Sequence, residues 1–245
     1  MPYFSQQMKA RYLFFPLLLA GPFAHAQTTF SIGPTLGGNL ATEHIAADNA
    51  PKLGYRLDWL AGAQASFAWG RFALQPALLL SQKGFKDEYV YYFVDPNQNP
   101  TNPIAFHSNI RLSYLTLPLN FCFAPLGAKT GPQLFAGPYV SVLLSARDAH
   151  TDFNRLPEDI TVTDHLKVAD ALDALPDNYG FRRFDAGLQG GVGYRYEAFL
   201  VQASYSLGLR NTTPTYIYAG APITSTNSYN RAFQLSLSYL FEPKS

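Results

Sequence analysis

Residues 184–209 read FDAGLQGGVGYRYEAFLVQASYSLGL, and the reading of this stretch decides the fold. Phe184, Ala186, Leu188, Gly190, Val192 and Tyr194 fall on one side of an extended chain, with Asp185, Gly187, Gln189, Gly191 and Gly193 on the other. After Arg195–Ala198 the alternation restarts: Phe199, Val201, Ala203, Tyr205, Leu207 and Leu209 oppose Leu200, Gln202, Ser204, Ser206 and Gly208. A period of two, repeated across a short link, is a β-hairpin. Its polar side carries Gly, Ser and Gln, where the wet face of a soluble sheet would carry Lys, Glu and Asp. Small polar side chains suit the crowded lumen of a narrow barrel, and the apolar stripe then faces lipid.

Composition agrees. The chain is 15% aromatic and only 14% charged, against about 25% charged in ordinary soluble domains. It is too apolar for a disordered chain. After the N-terminus no run of about 18 apolar residues exists, which excludes a helical membrane protein. A net charge of +1 argues against a nucleic-acid partner. The single cysteine, Cys122, excludes an intrachain disulfide and a multi-cysteine metal site, and reads as a small packing residue within a strand.

At the N-terminus, Lys9 and Arg11 precede the apolar run Tyr12–Ala20, and Ala24-His25-Ala26 is a small-x-small cleavage site. Residues 1–26 therefore read as a cleaved secretory signal peptide and residues 27–245 as one barrel domain. Six further alternating spans join the hairpin: Phe30–Asn39, Asp58–Ala68, Phe72–Gln82, Leu112–Phe123, Gln133–Ser145 and Ala232–Phe241. The connections alternate long and short. Among all eight spans, Asp58 and Asp185 are the only Asp, Glu, Lys or Arg residues, although the chain holds 18 Lys+Arg and 17 Asp+Glu. A charge facing lipid costs about 2–4 kcal/mol at the midplane. The expected fold is all-β: an eight-stranded antiparallel up-and-down transmembrane β-barrel with short periplasmic turns and long extracellular loops, in the cell outer membrane of a Gram-negative envelope. Pro34, Pro76, Pro118 and Pro138 remove ladder donors and are expected at bulges or strand ends. A soluble lipocalin-like barrel would need a charged exterior, which these spans lack.

Chemistry is sparse. His44, His107, His150 and His165 lie in the predicted outer loops, and Asp148-Ala149-His150-Thr151-Asp152 with Asp164-His165 are the local candidates for a rim hydrolase. No motif fixes a nucleophile. No His-x-x-x-His or cysteine spacing supports a metal, and Asp170, Asp173 and Asp177 lack the order of a calcium loop. The sequence thus points to no catalytic residue, no metal site and no cofactor. The long acidic connection Ala146–Arg183 is expected to hold a short helix over Thr163–Leu175, capped by Thr163 or Asp164 and ended by Pro176. Such a segment serves as a lid, a contact surface or a stabilising cover of the barrel mouth. The aromatic run Tyr89–Phe93, with Tyr216, Tyr218 and Tyr229, reads as an interfacial girdle or a hairpin extending past the membrane, and alternatively as a binding platform.

Tyr114-Leu115-Thr116-Leu117-Pro118-Leu119, Ala136-Gly137-Pro138-Tyr139, Asp185-Ala186-Gly187 followed by Gly191-Val192-Gly193-Tyr194, Tyr205–Leu209 and the closing Phe233–Phe241 strand together resemble the PorT-like outer-membrane β-barrel family. Thr116 departs from it, because Glu is frequent at that position. The resemblance implies an eight-stranded barrel without established catalytic residues, and its namesake's association with protein secretion is not carried over to this chain. The expected function is that of a non-enzymatic outer-membrane protein, envelope-structural or partner-binding through its extracellular loops. Its expected partners are outer-membrane lipid, the barrel assembly machinery during biogenesis, and a protein or ligand at the loops. The alternatives are a barrel enzyme acting on lipid or peptide at the cell surface, and a small-solute channel.

Overall fold

In a computed structural model, the structure describes residues 28–91, 104–152, 160–173, 179–223 and 226–242. The residues read as a signal peptide lie outside these. The strands are β1 (Thr29–Ile45), β2 (Gly54–Trp69), β3 (Phe72–Tyr91), β4 (Ile104–Phe123), β5 (Gly131–Asp152), β6 (Ile160–Val168), β7 (Ala171–Asp173), β8 (Gly180–Phe181), β9 (Phe184–Tyr196), β10 (Phe199–Gly208), β11 (Thr215–Tyr218), β12 (Ala221–Ile223) and β13 (Ser228–Tyr239). Strands β1–β5, β9, β10 and β13 pair antiparallel in chain order, and β1 returns to β13 from Thr35↔Ser238 to Ile45↔Ser228. The eight-stranded ring is closed. β7, β11 and β12 form a small separate sheet.

The deciding hairpin pairs as its alternation requires, with Phe199 opposite Tyr196 and Leu207 opposite Leu188. Its outer stripe is exposed at Leu188, Val192, Tyr194, Val201 and Phe233 of the next strand, whereas Asp185, Leu200, Gln202 and Ser206 are buried. This is the inverse of a soluble sheet and leaves the apolar side chains against lipid. Aromatic rings crowd the end with the short turns. Phe30 lies 4.9 Å from Phe67, Phe72 lies 5.7 Å from Phe121, and Phe199 lies 5.1 Å from Tyr239, as in the interfacial girdle of such barrels.

Inside, polar side chains hydrogen-bond one another across the ring. Gln202 donates to Gln75 (3.0 Å), Gln75 to Gln133 (3.1 Å), and Cys122 to Gln133 (3.3 Å). Nearby, Asn39 donates to Ser81 (2.8 Å), Gln189 to Asn120 (2.9 Å) and Arg195 to Ser31 (3.2 Å). An eight-stranded ring has an interior just wide enough for such side chains, and this one is filled by them.

The four prolines are not where the sequence reading expected them. The register shifts fall between Tyr55 and Leu60 and between Ser113 and Tyr114, and each proline sits mid-strand. Each instead coincides with skipped ladder steps on one side. The β2–β3 pairs jump from Gln64↔Ala77 to Phe67↔Leu74 past Pro76, and the β4–β5 pairs jump from Pro118↔Tyr139 to Phe121↔Ala136 past Pro138. The β1–β13 ladder stops at Thr35, beside Pro34, and resumes as a bridge at Ile32↔Phe241. A single missing donor is accommodated by a one-sided gap, so no bulge is needed.

The helix expected over Thr163–Leu175 is absent from its described part. Ile160–Val168 is a strand and Ala171–Asp173 another. Val162, Asp164, Leu166 and Val168 alternate with Thr163, His165 and Lys167, and the β-branched content together with an available partner in β5 overrides the helical spacing. Leu175 and Pro176 lie outside the described residues.

Gly187 is a point of close packing in the upper lumen: a Cβ there would stand 2.1 Å from the Leu207 carbonyl oxygen and 2.8 Å from the Tyr139 ring. Gly187→Val should therefore cost about 1–3 kcal/mol through overpacking, read as a lower midpoint for loss of the compact, heat-modifiable band on gels.

Candidate functional site at the extracellular end

Strands on one side of the ring are much longer than on the other: β3, β4 and β5 have 20, 20 and 22 residues, β10 and β13 only 10 and 12. The excess projects beyond the membrane as a sheet in which β3 pairs β4, β4 pairs β5, and β5 pairs β6 from Ala146↔Leu166 to Asp152↔Ile160. The run Tyr89–Tyr91 belongs to this projecting β3–β4 hairpin, with Tyr89 stacked on Phe106 at 5.5 Å. Tyr92 and Phe93 lie outside the described residues.

The inner face of this sheet closes the barrel mouth. Phe85, Ile110, Leu112, Tyr114, Leu143 and Ala146 pack with Phe181, and Leu53, Leu166 and Val168 lie against them. The segment carrying Phe181 is tied across the mouth, because Leu143 N–H donates to the Arg183 carbonyl (2.7 Å) and Arg182 N–H to the Thr212 carbonyl (2.8 Å). Directly below, Lys83 Nζ lies 3.6 Å from Asp185 Oδ2, both side chains 2% exposed or less. Asp185 Oδ2 also accepts from Asn230 (3.0 Å) and Tyr139 (3.3 Å), and Lys83 stands 4.6 Å over the Tyr139 ring. Sequence reading ended the third span at Gln82 and so missed Lys83. The alternation Ser81, Lys83, Phe85 against Gln82, Gly84, Lys86 carries the signal.

Asp58, the other charge foreseen within the spans, is also inward and paired. Arg56 Nε is 2.7 Å from it and Arg111 Nε 3.9 Å. Arg56 further donates to Asn109.

The loop candidates are brought together in part. His150 Nδ1 lies 3.9 Å from both Asp148 Oδ2 and Asp164 Oδ2, and Ser108 Oγ donates to Asp148 Oδ1 at 2.6 Å. The hydrogen bonds run hydroxyl to carboxylate, whereas nucleophile activation needs hydroxyl to imidazole. His107 faces Glu88 at 3.7 Å, His165 is opposite Arg147, and His44 is opposite Tyr229. Burial pushes the Asp87 carboxyl above its ordinary range, opposed by the Glu88 backbone and reinforced by the Asp148 charge. Among the described residues no group of three or more His, Cys, Asp or Glu is arranged to hold a metal ion. On the outer face, Lys86, Glu88, His107, Asn109, Thr151 and Thr161 line a groove of about 310 Å³.

Glu43 closes the opposite side of the mouth, three residues beyond Leu40, the last apolar outward residue of β1. Burial pushes its carboxyl up to about 7; the Thr212 hydrogen bond opposes this and the Asp185 charge adds to it. Thr212 Oγ1 is 2.5 Å from Glu43 and 3.1 Å from the Ser228 carbonyl. One hydroxyl proton cannot serve both acceptors. A protonated Glu43 donates to Thr212 and leaves the threonine proton for Ser228; an ionised Glu43 takes it away. A raised folded-state pKa means that this stabilisation is complete below about 4.5 and is lost as pH rises through about 7. The heat-modification midpoint of the wild type should fall between pH 5 and pH 8, and Glu43→Gln should remove that difference. An undiminished fall in the variant would assign the effect to another group.

Among solved structures, the attachment invasion locus protein Ail of Yersinia pestis, crystallised with the heparin analogue sucrose octasulfate, is 8% identical over 87% of this chain and 99% of its own, with a TM-score of 0.39. Neisserial surface protein A is 12% identical over 86% and 97%, also at 0.39. No curated protein matches the chain. The family model described as outer membrane protein beta-barrel domain matches residues 4–213. With lipid-facing stripes, a filled polar lumen and a closed ring of eight strands, this chain belongs to that family and resides in the outer membrane.

Proposed function

We propose that the chain is a non-enzymatic surface protein of the PorT-like branch that docks a protein partner on the free edge of β6. One observation carries this reading. Lys167 N–H donates to the Tyr179 carbonyl and Ala169 N–H to the Phe181 carbonyl, so by strand alternation the amides of Thr161, Thr163 and His165 point away from β5. Among the described residues no strand pairs with that stretch, and Thr161–His165 are exposed. An open strand edge is a template for adding a partner strand, with main-chain hydrogen bonds supplying affinity and alternate side chains specificity. The adjoining groove would take side chains of the added strand. In this reading residues 1–26 direct export, and the barrel assembly machinery inserts the mature chain.

An enzyme built on Ser108, Asp148 and His150 is the second reading, favoured by their proximity and opposed by the direction of their hydrogen bonds. The filled lumen speaks against a solute channel, and planar-bilayer recordings should show no conductance steps.

Thr163→Pro deletes one edge-facing donor and spares the β5–β6 ladder. A photo-crosslinking residue at position 165 should yield a discrete adduct on whole cells, reduced at least about tenfold by Thr163→Pro and unchanged by His150→Ala. Loss of function with His150→Ala, together with an altered lipid-A profile in a deletion strain, would favour the enzyme instead.

A further inference from the structure

Five arginines ring the outer rim on adjacent strands. Arg111 (β4), Arg147 (β5), Arg183 (immediately before β9), Arg210 (immediately after β10) and Arg231 (β13) occupy consecutive positions around the ring. Each follows the last outward apolar side chain of its strand toward the extracellular end: Leu115, Leu144, Phe184, Leu209 and Phe233, all of which lie on the lipid-facing surface. The Arg210 guanidinium stands 5.7 Å over the ring of lipid-facing Phe184, which places this charge at the edge of the hydrocarbon. The first four side chains are exposed.

Their mutual placement is costly. Arg111 and Arg147 are direct cross-strand partners, and Arg147 is in turn opposite His165. Like charges directly opposite destabilise a sheet. Arg111 is 3.9 Å from Asp58, Arg210 is 4.0 Å from Asp170, and Arg231 donates to the Gly208 carbonyl at 2.6 Å. Among the described residues Arg147 and Arg183 have no carboxylate within ion-pair distance. At the opposite rim the exposed cations among the described residues are few: Lys129 is paired with Glu242 at 2.9 Å, and Arg71 stands singly in the β2–β3 turn. A one-sided arc of guanidinium groups at headgroup level calls for an anion on the lipid side, and guanidinium forks match phosphate oxygens bidentately.

We propose that this arc is a recognition site for the phosphorylated headgroup of an outer-leaflet glycolipid, with the acyl chains lying along the apolar stripes below it. The proposal does not rest on the reading of the β6 edge, which begins at His165 opposite Arg147 and runs away from the arc.

The test compares binding of bisphosphorylated lipid A and enzymatically dephosphorylated lipid A to the refolded full-length barrel in detergent, by native mass spectrometry. Arg147→Gln/Arg183→Gln is measured beside the wild type, and each protein is first shown to be heat-modifiable. The wild type should prefer the phosphorylated lipid by at least about tenfold. The double variant should lose about tenfold in affinity for it, and Arg147→Lys/Arg183→Lys should recover part of that loss. Millimolar inorganic phosphate should fail to displace the lipid. Equal binding of the two lipids, an unaltered affinity in the double glutamine variant, or full displacement by inorganic phosphate would each overturn the proposal.

Discussion

The hydrocarbon core offers no water to the peptide group, so every backbone donor and acceptor within it must be met by the chain itself. For strands this means a closed ring, and the rest of the structure depends on the seam between β1 and β13. That seam pairs Thr35 through Ile45 with Ser238 through Ser228. Below Pro34, where no donor exists, Ile32 and Phe241 exchange hydrogen bonds in both directions at 3.0 Å. The first and last strands therefore finish the same ladder, and Leu240 N–H is anchored on the Ala198 carbonyl at 2.6 Å. Proline is tolerated mid-membrane because each gap leaves the other side of its strand paired.

Closure with eight strands fixes a narrow lumen, and the narrow lumen dictates composition. Gly, Ser, Thr, Asn and Gln occupy much of it, and its few ionic groups are engaged: Lys83 with Asp185, Arg56 with Asp58, and Arg195 with the Ser31 hydroxyl. A filled interior moves function to the ends. The periplasmic end is short turns and aromatic rings; the extracellular end carries the long strands, the capping Phe181, the β6 edge that no described strand pairs over Thr161–His165, and the arginine arc.

Asymmetry in strand length produces that extracellular platform. β3 to β5 continue well past the bilayer, where β6 extends their sheet, and the apolar inner face of the extension would be wetted without a cover. Phe181, Leu53, Leu166 and Val168 supply the cover. The same packing that stabilises the projection shuts the mouth, so the platform and the plug are one construction.

Much of this was legible in the residues themselves. The period of two, the expulsion of Asp, Glu, Lys and Arg from eight spans, and the alternation of long and short connections follow from one-dimensional constraints imposed by lipid, so the closed barrel could be read from them. The long connections resisted reading, because beyond the bilayer no lipid enforces alternation. Thr163–Val168 satisfies a helical spacing as well as a strand, and only the partner strand β5 decides between them. Likewise, Asp148 and His150 are near neighbours along β5, but Ser108 and Asp164 join them only through β4–β5–β6 register. Arg111, Arg147, Arg183, Arg210 and Arg231 are ordinary loop charges along the chain. Ring closure and strand stagger alone bring them to one rim, because height in the membrane is a property of the barrel and not of the sequence.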